Sequence, residues 1–294
     1  IGGTGVAFDA TIAGFRMGYG ADGNTGQIVE NLTLQANVDI SNNSWGFDGF
    51  FFDDFSTPEF QPAADAILNA VTEGRDGLGT VFVFVAGNGR EIGQDANYHS
   101  FQNTPHTIAV AALDHNGQVA AFSTPGAPVL LSAPGVDIVT TDRTGTDGYT
   151  SSDYVTISGT SFSAPITTGV VALMLEANPE LGYRDVQEIL AYSARQTDLS
   201  SPGWDVNGAA NWNGGGLHVS HDYGYGLIDA YSAVRLAETW DLTSTQANLA
   251  SVSASSATSL VIPDNATITD TITVSSGLRI DHIEVDLDLS HSWI

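Results

Sequence analysis

Short apolar runs and helical patterns alternate along the first 240 residues. ATIAGFRM (10–17), NVDISNNSWG (37–46), TVFVFVAGNG (80–89), TIAVAALD (107–114) and PVLLSAPG (128–135) are short, β-rich segments that predict strands. Several are apolar on both faces, as strands inside a buried parallel sheet are. Between them, PAADAILNAVTEG (62–74) carries Ile67, Leu68 and Val71 at helical spacing. SAPITTGVVALMLEANP (163–179) is apolar nearly all round and predicts a buried helix. YRDVQEILAYSAR (183–195) and DAYSAVRLAETW (229–240) predict amphipathic helices. The alternation predicts an α/β fold, a mainly parallel sheet with helices on both faces, connected by right-handed crossovers.

Past Trp240 the pattern changes. STQANLASVSASSATS (244–259) is small and polar and reads as a linker. ATITDTITVSS (266–276) and HIEVDLDLS (282–290) alternate apolar and polar positions, with Ile283, Val285, Leu287 and Leu289 on one face. That period predicts half-buried antiparallel strands, the beginning of an all-β sandwich. The chain therefore divides into an α/β domain over 1–241, a linker over 242–260 and a β-region over 261–294.

Composition narrows the function. The chain has 294 residues, enough for a large core. It has no cysteine, which excludes disulfides, thiolate metal sites and a cysteine nucleophile. Against 34 acidic residues stand 8 basic ones, all arginine, for a net charge of −26. Such a chain repels phosphate backbones, so nucleic acid is excluded as a partner. No run of about 18 apolar residues occurs, so no membrane insertion is expected. A solvated acidic surface suits a secreted or cell-surface protein in a salty medium.

The candidate chemistry centres on SGTSFSAP (158–165). Ser161 sits where an extended segment gives way to a helix, whose N-terminus aims free N–H groups at developing negative charge. Pro165 is expected in the first turn, where its missing N–H costs little. A plain helix cap explains a serine here equally well, although the motif is longer than a cap requires.

The segment resembles the serine motif of the subtilisin-like peptidases. NNSWG (42–46), VTEGRDGLGTVFVFVAGNG (71–89), DIVTTD (137–142), LEANPELGYRDVQ (175–187) and HVSHDYGYGLIDA (218–230) are similar, in order, to segments of the kexin/furin branch. The resemblance spans about residues 1–241, and the β-region resembles the start of the P-domain that follows the catalytic domain in that branch. It implies that Ser161 is the nucleophile and that Asn88 completes the oxyanion hole with the Ser161 amide. Ser44, Trp45 and Gly46 match the strand that pairs with an extended peptide or protein substrate. His99 falls where the family carries an aspartate at the floor of the first specificity pocket, so cleavage after paired basic residues does not carry over.

The base of such a triad is a histidine. None of His99, His106, His115, His218, His221, His282 and His291 stands in the family's HGT motif. GGTGVAFDATIAGFRM (2–17) matches the segment that follows the catalytic histidine, so the resemblance places that histidine and the aspartate ahead of Ile1. The chain by itself is expected to have little peptidase activity. A structural calcium is also implied, with the carbonyls of Ile1 and Gly3 as ligands and its carboxylates upstream. A second calcium site is not assigned, since Gly49 and Thr124 stand where it needs acids. A propeptide in the full-length protein is left open. The sequence thus reads as part of a serine endopeptidase acting through an acyl-enzyme on Ser161. The alternative is a non-catalytic peptide-binding or adhesion module that keeps the fold.

Overall fold

The computed structural model describes residues 3–18, 20–206, 216–256, 260–261, 263, 266–275, 277–278 and 280–287. It divides into two units, Ile1–Ala247 and Asn248–Ile294. The division falls six residues beyond the expected end of the α/β domain, because Thr245 and Gln246 still bond to α5 of the first unit (below).

The first unit opens with an extended segment and then α1 (Thr25–Leu34), β1 (Ile40–Asn43), α2 (Gln61–Glu73) and β2 (Val81–Val85). A single-turn α3 (Ser100–Asn103) precedes β3 (Thr107–Leu113) and β4 (Val129–Pro134). A hairpin of β5 (Ile138–Thr141) and β6 (Tyr154–Ile157) leads into the long α4 (Thr160–Ala177). α5 (Tyr183–Ser193), the short pair β7 (Asp205–Val206) and β8 (His218–Val219), and α6 (Ala230–Ala237) complete it. Strands β1-β2-β3-β4 form a parallel sheet in that order, with Asn43 beside Phe84 and Val85 beside Val110.

Burial explains the sheet. Every residue of β2 and β3 is buried, which is why both read as continuous apolar runs. Phe84 stacks on Phe101 of α3 at 5.5 Å, while Val83 and Val85 point to the opposite face by strand alternation. α4 lies against all four strands. In α2, Ile67 is 1 % exposed and Val71 is buried, whereas Leu68 is 41 % exposed. The buried stripe runs through Ala63, Ala66, Ile67, Ala70 and Val71, and a further turn of about 100° carries Leu68 off it.

Several expectations are corrected. Residues 10–17 run extended without a ladder partner among the described residues, and Ile12 is exposed. β1 pairs only with β2, so the edge that such a strand needs is not supplied by this segment. α1 was not legible as an apolar stripe; Asn24 caps it, its side-chain oxygen accepting from the Gln27 N–H at 3.0 Å. Pro165 is not in the first turn but is the sixth residue of α4.

In the second unit the described residues form no strand, so the expected strands over 266–276 and 282–290 are not found there; Leu289 lies outside the described residues. Ile283, Val285 and Leu287 are exposed. A strand with one apolar face needs both a neighbour for its backbone and a surface for that face, and the described residues of this unit provide neither.

The α2 packing makes a direct test. Ile67→Ala is expected to cost about 2–5 kcal/mol of stability. Leu68→Ala should cost about 0.5 kcal/mol or less. Chemical denaturation reads both, and equal losses would contradict the assigned face.

Candidate active site

The site is built where the C-terminal ends of β1 and β2 meet the head of α4. Gly159 precedes the helix with φ 157° and ψ 155°, a conformation open essentially to glycine. It turns the chain so that α4 starts at Thr160, whose N–H is donated to Asn88 Oδ1 at 3.0 Å. The Thr160 hydroxyl donates to the same oxygen at 2.9 Å. With Oδ1 engaged twice, Asn88 must present its Nδ2 donors outward. A Cβ placed on Gly159 would lie 3.7 Å from Asn88 Nδ2 and 3.8 Å from the Ser161 N. Both donors, with the Phe162 ring edge at 3.8 Å, therefore lie around one point at the head of α4. An oxygen taking on negative charge there meets a side-chain amide and the head of a helix together.

Ser161 is half-buried. Pro165 has no N–H to give to the carbonyl four residues back, which is that of Ser161. The Ser44 hydroxyl donates to that carbonyl instead, at 3.0 Å. Ser44 Oγ in turn accepts from Asn42 Nδ2 at 3.1 Å, and Asn42 Oδ1 accepts from the Thr168 hydroxyl of α4 at 3.0 Å. Two side-chain clamps thus tie the end of β1 to the helix that carries the serine.

Trp45 contributes its ring to the core rather than to the cleft. It packs edge-on against Phe84 at 5.4 Å and Phe101 at 5.0 Å, and its Nε1 donates to Asn43 Oδ1 at 3.0 Å. Gly46 is exposed, and among the described residues Ser44, Trp45 and Gly46 make no backbone–backbone hydrogen bond. Their N–H and C=O groups are open to an added strand.

His99 sits beneath the surface, 6 % exposed. Its Nδ1 faces Asp53 Oδ1 at 2.7 Å and its Nε2 faces Gln94 Oε1 at 2.8 Å. Gln94 Nε2 donates to the Asp48 carbonyl at 2.6 Å, which fixes the amide with its oxygen toward the ring. Both ring nitrogens are thus engaged by neighbouring side chains. The expected pocket-floor residue is therefore a buried support with no nitrogen left for a substrate. Gln94 also packs directly on the α-carbon of Gly89, where any side chain would collide with its Cγ. Sequence reading missed this network, as well as Thr124, whose hydroxyl accepts from the Gly89 N–H at 2.9 Å and shapes the turn carrying Asn88. Apart from the His99–Gln94 pair, five residues apart, the partners lie 35–46 residues away in sequence, so no local pattern announces these roles.

Among the described residues Ser161 Oγ has no hydrogen-bond partner, and no described histidine bonds to Ser161. His291 lies outside the described residues. The expected calcium ligand Ile1 also lies outside them, and Gly3 is exposed. A hard cation of this size takes about 6–8 oxygen ligands. No group of three or more His, Asp or Glu poised to hold a metal occurs among the described residues. They do not supply a calcium site, and no chemistry is routed through one.

Comparison with known proteins gives the site a context. Residues 1–226 match the Subtilase family. Proprotein convertase subtilisin/kexin type 4 of Mus musculus is 35 % identical over 99 % of this chain and 44 % of its own length. Proprotein convertase subtilisin/kexin type 6 of Homo sapiens is 36 % identical over 80 % of this chain and 24 % of its own. The chain thus spans less than half the length of these curated relatives. In structure, a serine protease of Aeromonas sobria superposes with a TM-score of 0.62 at 24 % identity, covering 69 % of this chain and 44 % of that one. A Pseudoalteromonas arctica protease superposes with a TM-score of 0.62 at 24 % identity, covering 79 % and 65 %. Both likenesses concern the fold.

The clamp at the helix head generates a prediction. Ser44→Ala is expected to cost about 0.5–1.5 kcal/mol, one hydrogen bond. In a Pro165→Ala background the restored N–H takes the Ser161 carbonyl, and the same change should cost close to nothing. A double-mutant cycle by denaturation reads that coupling. Simple additivity would mean that the hydroxyl does not fill the gap left by the proline.

Proposed function

Since the chain belongs to the subtilase family, we propose that it forms the nucleophile-bearing part of a secreted, kexin-like serine endopeptidase. The observation that carries the reading is that Asn88 is tied to the head of α4, with its Nδ2 and the Ser161 N both close to one point beside Gly159. A peptide laid antiparallel on the open backbone of Ser44–Gly46 brings a carbonyl to the serine. Ser161 Oγ attacks that carbon, the oxygen gains charge and is held by the two donors, and the amine leaves to give an acyl-enzyme. Water then attacks the ester and releases the acid. The alcohol's proton goes to a histidine base. The family order places that base ahead of the segment matched by residues 3–18, together with the aspartate that orients it.

The wider assignment follows the same support. The acidic, lysine-free composition fits a protein kept soluble outside the cell. No helix among the described residues is long and apolar enough to cross a membrane. In the C-terminal β-region we read the opening of a P-domain, on the strength of its alternating pattern and its position after the α/β unit.

An activity-based fluorophosphonate probe tests the reading on the natural polypeptide. Labelling at Ser161, abolished by Ser161→Ala, is the expected result. Asn88→Ala should slow acylation by about 10²–10³-fold, the magnitude known for this donor in subtilisin itself. A natural polypeptide that binds peptides but leaves Ser161 unlabelled would instead establish a non-catalytic peptide-binding module.

A further inference from the structure

The loop FDGFFFDDF (47–55) follows the open backbone segment Ser44–Gly46 directly. It is held at two points. The Asp48 carbonyl accepts from Gln94 Nε2 at 2.6 Å. The Asp53 carboxylate, 1 % exposed, faces His99 Nδ1 at 2.7 Å and accepts from the Phe101 N–H at 3.4 Å. Because His99 Nε2 meets Gln94 Oε1, the two anchors are joined in one closed buried network. Phe47 and Phe52, 5.2 Å apart, root the loop against Phe60.

Between the anchors the chain does something unfavourable. The Phe52 N–H bonds back to the Gly49 carbonyl at 3.2 Å, and Phe51 sits at φ 56°. A bulky side chain in the left-handed region is an outlier, and glycine would adopt it without strain. Phe50 and Phe51 are 52 % and 61 % exposed, with rings 5.6 and 4.7 Å from that of Tyr98. A buried polar scaffold thus holds a strained backbone that lifts a cluster of three aromatic rings into solvent. Neither strain nor exposure stabilises the fold, and such combinations persist where they serve binding.

Charge defines what fits. Asp48 and Asp54 belong to the same loop, and Glu91 and Asp95 to the segment carrying Tyr98. Arg90, the cation of that segment, is already engaged by Asp222 at 2.5 Å and by the Ser123 carbonyl at 2.7 Å. The ledge is apolar with an acidic border that has no cation of its own.

We propose that Phe50, Phe51 and Tyr98 form a specificity subsite for a large apolar side chain of a bound peptide, with the bordering acids selecting a basic residue next to it. The proposal rests on the peptidase reading, since it assumes that the peptide lies along Ser44–Gly46.

The test uses the full chain with Ser161→Ala and four synthetic peptides of equal length, differing only at two adjacent positions: Phe-Arg, Ala-Arg, Phe-Glu and Arg-Arg. Fluorescence anisotropy should show the Phe-Arg peptide binding about tenfold or more tightly than Ala-Arg, as burial of an aromatic side chain implies. Phe-Glu and Arg-Arg should both be weaker than Phe-Arg. Phe51→Gly and Phe50→Ser should each erase most of the Phe-over-Ala preference. Phe51→Gly should do so with an unchanged or higher Tm, because it relieves the left-handed strain, and a merely structural phenylalanine would show the reverse. Equal binding of Phe-Arg and Ala-Arg overturns the subsite, as does a preference that survives both variants or a failure of all four peptides to bind. Probe labelling of Ser161 in the natural polypeptide separates these failures from failure of the peptidase reading.

Discussion

Pro165 cannot donate to the carbonyl of Ser161, and at the other end of the same turn the N–H of Thr160 has no partner within α4. Each orphan group is satisfied by a side chain from a different strand end, Ser44 after β1 and Asn88 after β2. The helix is therefore aligned to the sheet through its own unmade hydrogen bonds. An unbroken helix would have closed on itself and left the two strand ends free to drift relative to it. Asn88 shows the economy of this arrangement. The oxygen of its amide holds the helix, and this leaves the nitrogen facing the serine with its orientation determined.

Below these polar contacts lies an aromatic layer that does not change sign with the chemistry above it. Trp45, Phe84 and Phe101 meet within about 5–5.5 Å of one another. Each buried ring contributes on the order of 1.5–3 kcal/mol. Trp45 thereby fixes the height of the backbone on either side of it, Ser44 on the helix and Gly46 toward solvent. A segment whose backbone makes no ladder is held in place because its one large side chain is packed.

What could be read from the sequence follows the range of the interaction. β2 and β3 were legible because burial on both faces writes itself as an uninterrupted apolar run, and α4 because a central helix is apolar all round. The family was legible through the order of several motifs. α1 was not, since TGQIVENLTL is nearly half polar and its start depends on the Asn24 cap. The segment over 10–17 shows the opposite case, a strand-like pattern with no ladder partner among the described residues. A strand is completed only by a neighbour, which lies beyond the reach of any local pattern. His99 was placed in the right neighbourhood and given the wrong surroundings. Its identity is visible in the sequence, but burial between Asp53 and Gln94 arises from loops 46 and 5 residues away.

The closed network of Gln94, His99 and Asp53 separates two kinds of change. Outside it lie Gly49 to Phe52, whose three rings are more than half exposed and touch only Phe47, Phe60 and Tyr98 among described aromatic residues. Inside it lie groups that also bear on Asn88 through Gly89 and Gln94. Substitution in the first set alters what the surface offers and leaves the surroundings of Asn88 intact, whereas substitution in the second disturbs both together. A lineage descending from such a chain can change this short surface window without disturbing the turn that carries Asn88. The partition that allows this is drawn by three buried side chains.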